Sequence, residues 1–569
     1  MRLAGDDVQP LRVGNETRLA LVLHEGRLAA RFPAVLPAQA ELSFGYAVSG
    51  AIRASEGLPP GGLAPVTLSL SLVPDGGNRE VLFERRLDPA QPQDRRWFDA
   101  RADLSAYSGR PVQLEFAMKP DPGLATPVAG FWEPTLHSAG SGSERPNLLV
   151  VSIDTLRARN VGAYGYARDT SPFLDQLAAS GTLFENAITA SVTTGPSHMS
   201  LFTGLYPVHH GMRTGMEPRA PEATPVAVLL RRAGYHTAAF TEDGYIIRTL
   251  GFGDGFSEYS ENPGYTRAVP GDARITFQQA EHWLARSQRR PFFLFVHTYQ
   301  VHSPYRPPAE TAGLFHDDGE PGTASAELRR QHDDYDREIR FVDGKVRELV
   351  EALDAHGLRG STTLVVLSDH GEEFGEHGYF QHGTALFEET LRVPLIFAGP
   401  GIPAGRRVAA QVSLIDVLPT LLDLAGVAPP AGLDGQSLLP AMRGAVLPDR
   451  TLFAEATAPG RWRLPFLREA WNPPLIAARS QHAKLLVHRP TEGEAAPPQR
   501  YDLEADALEH SPQPLAGEDL AKAQALVDGY LHGPAGHESS PAALDPELRE
   551  RLEGLGYVVP DAKEAPAGR

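Results

Sequence analysis

The chain has 569 residues, 42% hydrophobic and 22% charged, with 53 basic against 71 acidic side chains and a formal net charge of −18. That length predicts two or three domains with sizeable cores, and that charge lacks the basic footprint that non-specific nucleic-acid binding requires. The absence of cysteine removes disulfides, thiolate zinc sites and cysteine nucleophiles together.

The opening "MRLAGDDVQP" carries no apolar signal core, and no stretch approaches the ~20 apolar residues of a membrane span. The expectation is a chain without an integral membrane segment, either cytoplasmic or preceded by an export segment further upstream. Residues 1–136 read as β-rich: "VTLSLSLV" and "VQLEFAM" alternate with period two between turn signals such as "DGG" and "SGR". A β-sandwich accessory domain is predicted there. Trp97 and Trp132 would be its candidate stacking surfaces for a glycan, although a packing or spacer role is the plainer reading. "HSAGSGSERP", 137–146, is a linker by composition.

From residue 147 the texture changes. "NLLVVSI" (147–153), "TAAF" (237–240), "PFFLFV" (291–296), "TTLVVLS" (362–368) and "VPLIFAG" (393–399) are short continuous apolar runs. Helix-like stretches at 225–233, 274–287 and 328–355 separate them. This alternation predicts an α/β core over 147–446 with a mostly parallel sheet buried on both faces. Beyond it, 447–569 reads as a smaller α+β portion with a helix at 519–531.

In such sheets, ligands bind outside the carboxyl ends of the strands. "NLLVVSI" ends on Asp154, "TTLVVLS" ends on Asp369 and His370, and "PFFLFV" leads to His297 and His302. One terminal aspartate would be a helix cap; three strands delivering carboxylates or imidazoles to one edge favour a shared metal site. Imidazole in the ligand set points to Mn²⁺ or Zn²⁺, with Mg²⁺ or Ca²⁺ as the alternatives. In "SDHGEEFGEHGYFQHG", 368–383, not every polar residue can be a ligand, and Glu372 and Glu373 read as the start of a solvated loop or helical turn.

"SVTTGPSHMSLFTGLYP", 191–207, places Thr194 and Pro196 at the entrance of a helix. Locally, Thr193 or Thr194 reads as a cap. With a divalent metal nearby, the same hydroxyl becomes a plausible nucleophile.

These residues, with "RPNLLVVSIDTLRARNVGAYGY", "PFFLFVHTYQVHSPY", "SDHGEEFGEHG", "HGTALFEETLRVPLIFAGPG" and "VSLIDVLPTLLDLAG", resemble the sulfatase-like branch of the alkaline phosphatase superfamily, in order from about 145 to 559. The family's Cys-x-Pro-x-Arg motif, whose cysteine becomes formylglycine, aligns with Thr194 and His198. The resemblance therefore implies Asp154, Thr194, Asp369 and His370 as ligands of one divalent metal, with Thr194 as nucleophile. His302 and His382 become general acids, and His198 and His377 become substrate contacts. His382 falls where many sulfatases carry an anion-binding lysine. Threonine at the nucleophile position matches branches acting on phosphoryl centres, so hydrolysis of a phosphodiester, phosphomonoester or phosphonate is expected. The alternatives are sulfate-ester hydrolysis without formylglycine, a phosphoglycerol- or phosphoethanolamine-type transferase, and a non-catalytic binder of an anionic glycan or lipid. Threonine at 298 leaves a second metal site incomplete. The expected partner is a small anionic ester or a glycan- or lipid-linked substrate, not nucleic acid, and the resemblance implies work outside the cytoplasm.

Overall fold

The computed structural model describes residues 8–51, 62–137, 145–215, 217–242, 244–262, 272–286, 291–315, 326–457, 475–489 and 496–532. The last part of the resemblance, from 533 to about 559, and most of the predicted linker lie outside them. The chain divides into two compact units, one of Met1–Glu144 with Phe256–Ser260, the other of Arg145–Gly255 with Glu261–Arg569.

The first unit is antiparallel throughout its described strand pairs. Glu16–Leu23, Glu41–Val48, Phe98–Asp103 and Ala129–His137 pair in one sheet, flanked by Val8–Val13 and by the segment around Glu258–Ser260. Ala29–Val35, Pro111–Pro120, Val66–Pro74 and Glu80–Leu87 form another. Alternate residues of both sheets, among them Leu21, Phe44, Leu68, Leu70, Phe116 and Phe131, form one apolar cluster, as period-two patterning requires. Trp97 and Trp132 are not stacking surfaces. Both are buried, and they flank the buried Arg18 guanidinium, 5.1 and 4.3 Å from its carbon. Arg18 in turn pairs with Glu16, Asp99 and Glu258, so these rings hold a buried cation, where cation–π attraction is strongest.

The second unit is built on a mixed, mostly parallel sheet. His236–Thr241, Phe292–Thr298, Asn147–Ile153 and Thr362–Leu367 run parallel in that order. Leu395–Ala398 then adds antiparallel, followed by Thr182–Ile188, which pairs in parallel with Arg406–Ser413. The strands Asn147–Ile153, Phe292–Thr298 and Thr362–Leu367 are buried at every position. That is why they read as unbroken apolar runs rather than alternating ones. On one face, Leu149, Val151, Leu294, Val296 and Val366 pack with Leu174, Phe277, Trp283, Ile339, Val342 and Val346, which come from the helices Pro172–Ala179, Ala273–Leu284 and Ala326–Ala355. On the other face, Phe295 meets Phe202 of the helix Thr194–Thr203 edge-on at 4.9 Å.

The same unit contains a small antiparallel sheet, Leu452–Ala456, Leu475–Arg479, Ala483–His488, Gln499–Asp502 and Gln513–Pro514, and the helix Gly517–Leu531. A buried ionic network ties it down. Glu388 accepts from Arg479 through both carboxylate oxygens at 2.9 Å, and buried Lys484 reaches Glu509 at 2.5 Å and the Leu386 carbonyl at 2.6 Å. Among the described residues no helix is long and apolar enough to cross a membrane.

Candidate metal and nucleophile site

The parallel register sets Ser152 beside His297 and Leu367. The residues just past these positions therefore project from one sheet edge. Asp154, Asp369 and His370 are fully buried there, each offering a ligand atom within 4.8 Å of the others. Asp154 Oδ1 and Asp369 Oδ2 have no hydrogen-bond partner. His370 donates Nδ1–H to the Gly371 carbonyl at 2.9 Å, so its Nε2 lone pair faces the group, 3.3 Å from Asp369 Oδ2. Locking one imidazole nitrogen to direct the other is how proteins prepare a metal ligand. Two orphaned buried carboxylate oxygens beside that lone pair fit a divalent cation and fit little else.

The electrostatics agree. Burial, above all, raises the Asp154 carboxyl; burial and then the Asp154 charge raise that of Asp369. For His370, burial opposes protonation but the charges of Asp369 and Asp154 outweigh it, and the net shift is upward. The backbone bears strain at the same place. Thr155, a β-branched residue, is held at φ 58° by hydrogen bonds from its hydroxyl to the Asp154 and Val301 carbonyls and from its N–H to Asp369 Oδ1. Gly371 is required for packing: a Cβ there would lie 1.9 Å from the Glu389 carbonyl oxygen.

Thr194 is the first residue of the helix Thr194–Thr203, and the preceding Thr193 makes no side-chain cap bond. The capping role expected for Thr193 is therefore not made. Thr194 Oγ1 lies 3.4 Å from His370 Nε2, at a helix entrance whose unpaired amides favour an anion. Ser197 anchors the turn by donating to the Asp369 carbonyl at 2.8 Å.

His198 has its ring turned inward. Nδ1 donates to the Thr194 carbonyl and Nε2 accepts from Ser152, each at 2.8 Å, and burial pushes its pKa down to about 3. Both nitrogens are engaged inside the protein, so it offers a substrate nothing; it holds the Thr194 backbone. His302 and His382 stand together, ring centres 4.8 Å apart, with His382 4.4 Å from His370. His302 donates Nδ1–H to the Ser303 carbonyl at 2.6 Å, and burial pushes its pKa down to about 4. Burial also holds His382 well below the usual range.

Two expectations fail at the following loop. Glu372 and Glu373 are not solvated; both are buried. Glu372 bridges His382 Nδ1 and the Tyr305 hydroxyl, each at 2.8 Å. His377 is not a substrate contact either. Its Nδ1 meets Glu389 at 2.5 Å, its Nε2 meets the Leu508 carbonyl at 3.0 Å, and its ring stacks on Phe387 at 3.7 Å. Both nitrogens face acceptors, which requires the imidazolium. Burial opposes that charge, but the Glu389 hydrogen bond and charge, with Glu509 behind, raise the pKa. A histidine raised on folding stabilises fully below its ordinary value of about 6.5 and loses that contribution as pH rises through the raised one. Wild type should therefore exceed His377→Gln most in thermal stability at pH 6, and the gap should close toward pH 9; melting curves across that range check it.

His297, one of the strand-end residues that point in sequence to a shared metal site, places Nε2 3.3 Å from Asp154 Oδ2. Glu372 and Tyr305 were missed because the pair meets across 67 residues of sequence, and no local spacing marks such a contact. His209 pairs with Asp434 at 2.7 Å and His210 bonds Ser200 at 3.0 Å, both structural.

The sulfatase family model matches residues 146–427. The chain is 25% identical over 485 residues to a Delta 4,5-hexuronate-2-O-sulfatase of Bacteroides thetaiotaomicron, covering 75% of this chain and 98% of that one. Among solved structures it is similar to a protein in complex with its substrate D-glucosamine-2-N,6-O-disulfate (TM-score 0.57, 19% identity, 72% of this chain and 98% of that one). It is also similar to the phosphonate monoester hydrolase of Agrobacterium radiobacter (TM-score 0.56, 21% identity, 74% and 99%).

Proposed function

Since the chain belongs to the sulfatase family of the alkaline phosphatase superfamily, a family of ester hydrolases, we propose that it cleaves anionic phosphoryl esters with Thr194 as nucleophile. The observation that carries this reading is Thr194 Oγ1 at a helix entrance, 3.4 Å from His370 Nε2, in a chain with no cysteine to become formylglycine.

Asp154, Asp369, His370 and the Thr194 hydroxyl would hold one divalent ion, Mn²⁺ or Zn²⁺ ahead of Mg²⁺ or Ca²⁺. Such an ion supplies positive charge that makes a hydroxyl acidic and stabilises the transferring group. The chain's own residues do the rest. His198 and Ser197 fix the turn so that Thr194 Oγ1 meets the ester in line. The helix-entrance amides bind non-bridging oxygens. The His302–His382 pair, neutral by burial, collects a proton and returns it to the leaving alkoxide. Water then releases the group from Thr194; another alcohol in its place would make the protein a transferase. In this reading residues 1–136 are an accessory β-sandwich and 447–569 a C-terminal subdomain. The substrate is a small anionic ester or one linked to a glycan or lipid.

The relatives favour a second reading, sulfuric ester hydrolysis, more than they favour the first. One is named for a 2-O-sulfatase activity, and one structure holds a disulfated sugar, whereas a phosphonate monoester hydrolase supports the phosphoryl reading. The discriminating experiment assays the Mn²⁺- and Zn²⁺-loaded protein in parallel on aryl phosphodiester, phosphomonoester, phosphonate and sulfate esters. A higher kcat/KM on a phosphoryl ester than on the sulfate is expected; the reverse order would establish the sulfuric reading. Metal binding with turnover of none of the four would leave a binding protein.

A further inference from the structure

A two-stranded hairpin follows the metal-ligating histidine. Glu373–Phe374 pairs antiparallel with Phe380–Gln381, Glu373 opposite Gln381. The next cross-strand neighbours are Glu372 and His382, and their side chains meet at 2.8 Å. The return strand is bent to make that contact: Gln381 has φ 66° and Gly383 φ 89°, so His382 sits between two left-handed residues, a costly conformation for glutamine. Tyr305 donates to the second oxygen of Glu372 at 2.8 Å, which fixes the carboxylate from the opposite side. At the far end, His377 joins the hairpin to Glu389 and the Leu508 carbonyl. Glu372 touches no reacting atom in this arrangement, but it accepts the Nδ1–H of His382 and so assigns the lone pair to Nε2.

We propose that Glu372, clamped by Tyr305, is a positioning residue that sets the tautomer and orientation of His382 for proton delivery to the leaving group. This rests on the proposed ester hydrolysis. In the step, the Thr194 Oγ–P bond forms as the leaving O–P bond breaks. The proton lost by Thr194 is collected by the His302–His382 pair, whose rings are 4.8 Å apart, and is delivered from His382 Nε2 to the departing alkoxide, giving the free alcohol. With the Glu372 acceptor removed, the imidazole turns or changes tautomer, and Nε2 can no longer serve.

A good leaving group needs no proton and a poor one does, so leaving-group dependence separates this role from a structural one. In the metal-loaded protein, Glu372→Ala should slow an alkyl ester about 100-fold, within the usual range for loss of general acid–base catalysis, and slow a dinitrophenyl ester only slightly. It should match His382→Ala, and the double variant should be no slower than His382→Ala alone, as expected for residues acting as a unit. Glu372→Gln keeps a carbonyl acceptor and should restore the alkyl-ester rate, and with it the shallow leaving-group dependence of wild type; Tyr305→Phe should slow the alkyl ester part of the way. Equal slowing of both esters by Glu372→Ala, or full additivity with His382→Ala, overturns the proposal.

A measurement independent of turnover distinguishes its failure from that of the ester reading. Histidine-selective ¹⁵N spectra of the metal-loaded protein, with His382 assigned by its substitution, should show Nδ1–H in wild type and Glu372→Gln, and Nε2–H or a mixture in Glu372→Ala. An Nε2–H wild type overturns the positioning role whatever the substrate. The expected spectra together with no turnover of any ester would place the error in the ester reading.

Discussion

Thr194→Ala should abolish turnover while the protein still folds and still binds its metal. The expected loss is on the order of 10⁴-fold or more, comparable to removal of a catalytic nucleophile elsewhere. The reasoning is local. Thr194 contributes one hydroxyl to the proposed site, whose other candidate ligands are Asp154, Asp369 and His370, so three donors survive the substitution. Its backbone carbonyl, held by His198, and the Ser197 anchor on Asp369 do not depend on the side chain, so the turn should keep its shape. Alanine also suits a first helical turn. Thr194→Ser separates chemistry from packing: a primary hydroxyl at the same place should recover much of the rate. The measurements are kcat on the best ester of the panel, Mn²⁺ or Zn²⁺ affinity by calorimetry, and capture of a phosphorylated Thr194 peptide after rapid quenching of wild type. Near-normal kcat in Thr194→Ala would remove the nucleophile assignment and return Thr194 to a ligand or a helix-entrance residue.

How much of this was legible beforehand depended on whether the deciding partner was local. The buried parallel strands announced themselves because a strand covered on both faces has no polar side to interrupt it. Their ends could be read from the first polar residue after each run, which is how Asp154, Asp369 and His370 came into view together. Side-chain direction was a different matter. The resemblance sets His198 at the family's arginine position and so makes it a substrate contact, yet its ring bonds Ser152, 46 residues earlier. The resemblance makes His377 a substrate contact too, yet the Leu508 carbonyl, 131 residues later, holds it. Glu372 and Glu373 looked solvated because adjacent charges in a glycine-rich loop usually are. Trp97 and Trp132 pack in the interior, the plainer of their two readings, but nothing nearby in sequence announces Arg18 between them. Each misreading concerns a polar or amphipathic side chain whose surroundings are set by tertiary packing.

The second large effect concerns the ligands, and it has opposite signs with and without metal. Asp154 and Asp369 are both fully buried, each with an oxygen that lacks a hydrogen-bond partner; of the imidazoles beside them, His297 is kept neutral by burial, its pKa pushed down to about 4, which leaves His370 as the cationic partner. At most one of the two negative charges can be balanced by His370, so the metal-free protein carries an uncompensated buried charge. Asp369→Asn removes that charge with almost no change in shape, and its amide oxygen can still accept the Thr155 N–H now bound at 3.3 Å. The metal-free variant should therefore be more stable than metal-free wild type, on the order of 1–4 kcal/mol, as when other buried ionic groups are replaced by neutral ones of similar volume. With metal the order reverses. Wild type gains stability by mass action as its site fills, whereas the variant has lost an anionic ligand and should bind the ion weakly and show turnover reduced on the order of 10³-fold or more, since metal charge stabilisation is worth several kcal/mol. Thermal unfolding of both proteins in EDTA and in excess Mn²⁺ or Zn²⁺, at one pH, tests the crossing directly. A variant less stable than wild type in EDTA would mean that the aspartate pair is not in conflict there, and a variant stabilised by metal as much as wild type would mean that Asp369 does not ligate it. The crossing itself expresses a trade of metal-free stability for function: a site that holds two carboxylates together in the dark of the core is costly until a cation joins them, and that cost is what makes it bind one.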